Sequence, residues 1–177
     1  MKRVTIGVGG AYSGVGKTTV ICEILREFRG WGLIKYTKTP LYSSIIEDIE
    51  ILSQEGKDTR RYLDSGAGKV VWIQSPYSEL CEMIPLAVDM LSQTKGILVE
   101  GNSAVEVMKP DIVIFVGDGE RERWKPGAQK IMEMADIVIY EKEPPRGRPE
   151  AGWFHIKRNK EYSKFLKKLV ARVRREA

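Results

Sequence analysis

The run Val4-Thr5-Ile6-Gly7-Val8, followed closely by Ala11-Tyr12-Ser13-Gly14-Val15-Gly16-Lys17-Thr18, decides the fold. An apolar, β-branched stretch leads into a glycine-bearing loop, and Lys17-Thr18 opens a helical pattern. The loop fits G-x-x-x-x-G-K-[ST] with Ala11 in place of the first glycine. Gly14 and Gly16 carry no Cβ, so the backbone there can take left-handed dihedrals and approach an anion closely. Loop N–H groups and the N-terminus of the next helix then form a positively polarised nest for phosphates. In such a nest Lys17 reaches the β- and γ-phosphates and the Thr18 hydroxyl coordinates Mg²⁺. Ser13, Val15 and Thr19 complete the cradle. The expectation is a nucleoside triphosphate, GTP or ATP, bound with Mg²⁺.

Outward from this loop, strand and helix patterns alternate, the mark of a mostly parallel sheet covered by helices on both faces. The first strand is expected over 3–9. Val20, Ile21, Ile24, Leu25 and Phe28 then trace one helical stripe, with Gly30 placed to end it. Further strands are expected over 32–36, 69–73, 96–100, 111–117 and 136–140. Helices are expected over 45–52, 57–66, 78–93 and 126–135, with Pro85 a kink or break in the third of these. A loop rich in proline and arginine, 144–149, leads through a short extended piece into a terminal helix. No repeat, linker or boundary divides the chain, so residues 1–177 read as a single three-layer α/β domain of phosphate-loop nucleoside-triphosphatase type.

Bulk properties narrow the class. A chain of 177 residues with 42% hydrophobic and 30% charged residues has the composition of a soluble globular protein. No stretch approaches the roughly 20 apolar residues of a membrane span, and Met1-Lys2-Arg3 runs directly into a strand the phosphate loop needs, unlike a removable signal peptide. Cys22 and Cys81 are isolated and His155 is the one histidine, which argues for a reducing cytoplasm and against a disulfide or a His/Cys metal centre. The net charge of +5 draws heavily on the last twenty residues. There, however, Tyr162, Phe165, Leu166, Leu169, Val170 and Val173 form an apolar helical stripe, and the basic residues are its solvated side. That pattern disfavours nucleic acid, which wants aromatics interleaved with cations on an exposed face.

A triphosphate site needs more groups, supplied from the C-terminal ends of neighbouring strands. Ile97-Leu98-Val99-Glu100-Gly101 is an apolar strand ending in a carboxylate, which places Glu100 on Mg²⁺ directly or through a water. Lys35 and Lys38, at the end of the second strand, are candidates to neutralise a transferred phosphoryl group or an anionic substrate. Asp48 and Asp58 are candidates to orient a water or to ligate metal. Asp48 ranks ahead because the segment after the second strand commonly closes over the metal in this superfamily.

With these residues in place the chain resembles the molybdopterin-guanine dinucleotide biosynthesis protein B family. The resemblance rests on Tyr12–Thr19, on Gly32-Leu33-Ile34-Lys35-Tyr36-Thr37 with Tyr36 where that family has histidine, on Gly56-Lys57-Asp58-Thr59-Arg60 with Gly66-Ala67, and on Leu98-Val99-Glu100-Gly101. It covers roughly the first 100 residues in register. It implies a dimeric GTP-binding accessory protein with slow hydrolysis that assists a molybdenum-cofactor biosynthesis protein. In guanine-specific relatives the last core strand ends in Asn-Lys-x-Asp; here Glu141-Lys142-Glu143-Pro144 follows Tyr140. Lys142 stands where a lysine would stack under the base, while Glu141 and Pro144 replace the Asn and Asp, so guanine preference is not written in this loop. Two other readings stay open. The loop, the lysines after the second strand and Val99-Glu100-Gly101 also look like dethiobiotin synthetase, an ATP- and Mg²⁺-dependent enzyme acting on a small acid. The third is a nucleotide-driven switch in which Thr37 and Thr39 sense the γ-phosphate and the segment 41–57 reorders.

Overall fold

A computed structural model describes residues 3–119, 121–147 and 150–177. Arg148 and Pro149 of the proline- and arginine-rich loop lie outside the described residues, as do Met1 and Lys2 of the expected N-terminal approach. Eight strands form one sheet: β1 (Thr5–Gly10), β2 (Gly32–Lys38), β3 (Ser44–Ile46), β4 (Lys69–Ser75), β5 (Ile97–Glu100), β6 (Ile112–Val116), β7 (Ile137–Tyr140) and β8 (Gly152–His155). Their order is β3-β4-β2-β5-β1-β6-β7-β8. Every pairing is parallel except β3 on β4 at one edge.

Among the described residues six α-helices lie between strands, α1 (Lys17–Glu27), α2 (Ile49–Leu52), α3 (Asp58–Asp64), α4 (Leu80–Met90), α5 (Asn102–Met108) and α6 (Ala128–Met134), and α7 (Asn159–Glu176) follows the last strand. They divide into two layers. Val20, Ile21, Ile24 and Leu25 of α1, Tyr62 of α3 and Phe165 and Leu169 of α7 pack with Ile6, Val8, Leu33 and Leu98 on one face of the sheet. Leu80, Ile84, Ala104, Val105, Ile131 and Met132 from α4, α5 and α6 pack with Ile34, Val71, Val99 and Phe115 on the other. Strands buried on both faces read as continuous apolar runs, which is why 97–99 and 112–116 are almost purely aliphatic or aromatic.

Several elements depart from expectation. The helix expected over 45–52 splits: Ile45 and Ile46 pair with Ile73 and Trp72 of β4, and only Ile49–Leu52 is helical. Open strand edges reward extended backbone, and pairing there overrides local propensity. Pro85 does not end α4, which runs through it to Met90 and starts at Leu80 rather than 78. The proline lies on the exposed side, as does Cys81, whose carbonyl loses the i→i+4 donor and can turn to water. Residues 102–108, given no element from sequence, form α5, bounded by Gly101 at φ 118 and Lys109 at φ 49. Two local expectations hold: Gly30 sits at φ 83 beyond α1, and of the α7 stripe Phe165, Leu169 and Val173 are buried while Tyr162, Leu166 and Val170 are partly so.

Candidate functional site

β1 runs between β5 and β6; the chain leaves β1 toward β2 on one side of the sheet and leaves β5 toward β6 on the other, so the winding reverses between β1 and β5. Such switch points create a crevice beyond the strand ends. The loop of residues 11–16 lies at that point. Gly14 (φ 79) and Gly16 (φ 101) are left-handed, as their lack of a Cβ allows. Ala11 is outside the left-handed region, so the residue that breaks the motif needs no glycine. It is fully buried and donates its N–H to the Val116 carbonyl at 2.9 Å. Room for its methyl comes from Gly117, where an added Cβ would lie 2.7 Å from that of Ala11.

The loop is held from three sides. Asn102 is buried and clamps the last residue of β1: Gly10 N–H donates to Asn102 Oδ1 at 2.8 Å, and Asn102 Nδ2 donates back to the Gly10 carbonyl at 3.1 Å. Lys125 N–H donates to the Ala11 carbonyl at 2.8 Å. Asp118, at the end of β6 and 5% exposed, accepts from the N–H groups of Glu141 and Lys142 at 2.8 and 2.9 Å, and from the Tyr12 hydroxyl at 3.3 Å. One carboxylate thereby ties the β7 exit to the glycine loop. Beyond the loop, α1 starts at Gly16 without a side-chain cap or an acidic residue in its first turn. Its first N–H groups and positive dipole end face the crevice.

Around Thr18 the structure gathers a second cluster. Lys35 and Glu100 are paired positions on adjacent strands β2 and β5. Lys35 Nζ donates to Asp58 Oδ2 at 3.0 Å, and the Tyr62 hydroxyl donates to Glu100 Oε2 at 2.8 Å. The Thr18 side chain lies close enough to both Asp58 and Tyr62 to act on their ionisation. Burial raises the Asp58 pKa, but the Lys35 ammonium, the Thr18 hydroxyl and the Arg61 charge together outweigh it and leave the carboxyl below its ordinary value. Burial, together with the neighbouring Glu100 charge, pushes the Tyr62 phenol far up, so it stays a donor. Two carboxylates, two hydroxyls and one lysine thus converge beside the glycine loop. No group of three or more His, Cys, Asp or Glu side chains suited to a metal occurs among the described residues.

The sequence-derived candidates therefore separate. Lys17, Thr18, Lys35 and Glu100 come together, with Ser13, Gly14, Val15, Gly16 and Thr19 forming the loop and helix start beside them. Lys38 is exposed at the end of β2 and lines a neighbouring cleft. Asp48 lies elsewhere: it caps α2, accepting from Glu50 N–H at 2.8 Å, while Asp58, ranked behind it, occupies the cluster. Lys142 is tied to Asp118 through its backbone. Thr37 accepts from Trp72 Nε1 at 3.0 Å and Thr39 from Leu41 N–H at 3.3 Å, contacts that use the hydroxyl oxygens as acceptors and leave each O–H to donate.

Three residues escaped sequence reasoning. Tyr62 carried no signal beyond a helical position. Asp118 follows an apolar strand two residues beyond its last residue, Val116, much as Glu100 closes β5, and that parallel could have exposed it. Lys125 is close enough to Lys17 and Glu100 for both charges to act on it; burial first, then Lys17, lowers its pKa, and Glu100 partly restores it.

No protein-family model and no curated protein matches the chain. Among solved structures, it is similar to HypB from Helicobacter pylori, determined in complex with nickel, with TM-score 0.60 and 19% identity over 98% of this chain and 88% of that one. It is also similar to the apo form of LpxK from Aquifex aeolicus in complex with ATP, with TM-score 0.52 and 16% identity over 88% of this chain and 54% of that one. No helix among the described residues is long and apolar enough to cross a membrane. At such identities the likeness speaks to architecture alone, a mostly parallel α/β sheet with helices on both faces.

Proposed function

We propose that the chain binds a nucleoside triphosphate, GTP or ATP, with Mg²⁺ and hydrolyses it slowly. The observation that carries the reading is the convergence of Thr18, Asp58 and Glu100 beside a left-handed Gly14/Gly16 loop and an uncapped helix start. Their oxygens are a donor set that fits Mg²⁺, which takes one or two carboxylates and fills the remaining positions with phosphate oxygens and water. When bound, Mg²⁺ would neutralise charge on the β- and γ-phosphates. Lys17 holds the phosphates by charge, Thr18 and Glu100 face the metal position, and Tyr62 fixes the Glu100 carboxylate. Lys35 is engaged by Asp58 and sets the position of that carboxylate. Rate acceleration in this reading rests on positioning and charge neutralisation.

At finer grain, the residues shared with the molybdopterin-guanine dinucleotide protein B family support an accessory GTPase of molybdenum-cofactor guanylation, acting as a homodimer with a cofactor-biosynthesis protein. A second reading, an ATP-dependent enzyme acting on a small acid, is favoured by one specific observation: the cleft beside Glu100 is lined by two lysines. Thermal melting with ATP, GTP and their diphosphates, with and without Mg²⁺, tests the core claim, because a ligand of the native state raises the melting temperature by mass action. A Mg²⁺-dependent shift with either triphosphate, lost in Lys17→Ala at unchanged ligand-free stability, is expected. Absence of any shift overturns the nucleotide reading. A GTP-specific shift favours the accessory GTPase, and an ATP-specific shift favours the small-acid enzyme.

A further inference from the structure

Beside the cluster lies a cleft of about 330 Å³, lined by Tyr36 and Lys38 of β2, Asn102 and Ser103 of α5, and Lys125 of the loop after β6. None of residues 12–18 contributes to it, so it is distinct from the phosphate cradle. Its position follows from topology. Gly101, at φ 118, turns the chain directly after Glu100 and forms part of the wall, so the cleft begins one residue beyond the carboxylate. Lys125 borders the cradle from this side: its backbone is fixed to Ala11, and its side chain feels both Lys17 and Glu100.

The lining chemistry is one-sided. Two lysines line the space, and the lining contains no carboxylate. Neither lysine has a carboxylate within ion-pair distance among the described residues, whereas Lys35, one strand pairing away, is matched to Asp58. The remaining lining polar groups are partly committed. Asn102 is spent on Gly10, and the Tyr36 hydroxyl donates to the Ser75 carbonyl at 3.0 Å, which leaves the Ser103 hydroxyl as a further donor. Lys125 is partly buried without a counter-charge, which is costly to maintain. With the exposed Lys38 on the same cleft and a hydroxyl beside them, the two lysines make a receptor for an oxyanion.

We propose that this cleft binds a small molecule through an oxyanion, a carboxylate or a phosphoryl group, held by Lys38, Lys125 and Ser103 next to the γ-phosphate position. The assignment rests on the nucleotide reading above and adds a second ligand to it.

The test is calorimetric titration of inorganic phosphate, and separately of malonate, into the full chain saturated with Mg²⁺ and the β,γ-imido analogue of whichever triphosphate binds. With the triphosphate seats filled, heat from the added anion reports the cleft. Saturable binding is expected, weakened about tenfold in Lys38→Met and in Lys125→Met, as loss of one hydrogen bond to a charged group implies. It is abolished in Ser103→Asp, which places a carboxylate in the cleft, and analogue affinity stays within about threefold in Lys38→Met and Ser103→Asp. Phosphate binding without malonate binding would assign the site to a phosphoryl ligand, and the reverse to a carboxylate; either supports the proposal. Binding to the diphosphate-loaded chain but not to the analogue-loaded chain would identify the γ-phosphate seat itself and overturn the proposal. So would normal analogue binding with no anion heat. Failure of the analogue to bind at all would instead bring down the nucleotide reading, and the two failures are separate readouts.

Discussion

Tyr62→Phe isolates the one contact that orients the Glu100 carboxylate. Tyr62 is fully buried, Glu100 is 8% exposed, and their oxygens are 2.8 Å apart. Phenylalanine keeps the ring, which packs with the α1 and β1 core, so no large cavity opens. What disappears is one hydrogen bond to a charged acceptor, worth about 1.5–3 kcal/mol when its partner is left buried. For a chain of this size each kcal/mol moves the melting temperature by about 2–4 °C, so a loss near 2 kcal/mol appears as a drop of about 4–8 °C. Urea unfolding should give the same figure with an unchanged slope, since the exposed surface hardly differs.

The functional arm of the same variant carries more information. A residue that orients a metal-facing carboxylate changes metal affinity by about 10- to 100-fold when removed. Tyr62→Phe should therefore shift the Mg²⁺ concentration needed for nucleotide-dependent stabilisation upward by at least about tenfold, while Mg²⁺-independent nucleotide affinity stays near wild type. A Tyr62 with only a packing role would lower stability and leave the Mg²⁺ midpoint where it was. A stability loss under about 0.5 kcal/mol would refute the bond energy itself, because it would mean Glu100 finds an equivalent donor at no cost.

Three other variants probe separate parts of the argument. The Tyr162 hydroxyl is buried against α1 without a hydrogen-bond partner among the described residues, so Tyr162→Phe should stabilise the chain by about 1 kcal/mol in urea unfolding; a loss of similar size would show that the hydroxyl is satisfied in solution. Asp58 has a folded pKa below its unfolded value near 3.8, so its contribution to stability is present above that value and disappears as pH falls through the lower folded pKa. The urea midpoint of Asp58→Asn should accordingly fall less steeply than wild type below about pH 4, and parallel acid limbs would contradict the Lys35 pairing. Gly96→Ala would bring a methyl to 2.5 Å from the Trp31 ring, and should cost about 1–3 kcal/mol unless the indole moves, which Trp31 fluorescence would report.

How far the chain could be read from sequence depended on whether a residue's neighbours were local. The strand-loop-helix unit was legible because its physics is contained within residues 4–25: a buried strand, two left-handed glycines and an amphipathic stripe. Glu100 was legible because an apolar strand that ends in a carboxylate is locally anomalous. Residues 44–46 were not, since two isoleucines suit a helix face and a strand edge equally, and only the open side of β4 decides between them. The ranking of Asp48 over Asp58 failed for the same reason. Each begins a short helix, and what distinguishes them is Lys35, which reaches Asp58 across 23 residues of sequence.

Lys125 makes the point most sharply, and it bears on mechanism. In the sequence it is one of many lysines, flanked by Trp124 and Pro126 with no motif around it. The fold gives it meaning by fixing its N–H to the carbonyl of Ala11, the position where this loop departs from the usual glycine. Ala11 in turn fits because Gly117, at the end of the neighbouring strand, leaves space for its methyl. The departure at residue 11, the glycine at 117 and the lysine at 125 are therefore one structural unit, linking the cradle floor to the cleft beside it. An anion seated on Lys125 would relieve its repulsion with Lys17, and phosphates on Lys17 would do the same from the other side. Two ligands that each reduce the charge opposing a shared lysine pair need not ignore one another. Their mutual repulsion sets the sign against the relief they share, and that sign is read directly by comparing nucleotide affinity with and without saturating anion. Coupling that vanishes in Lys125→Met but survives in Lys38→Met would locate the link in this unit.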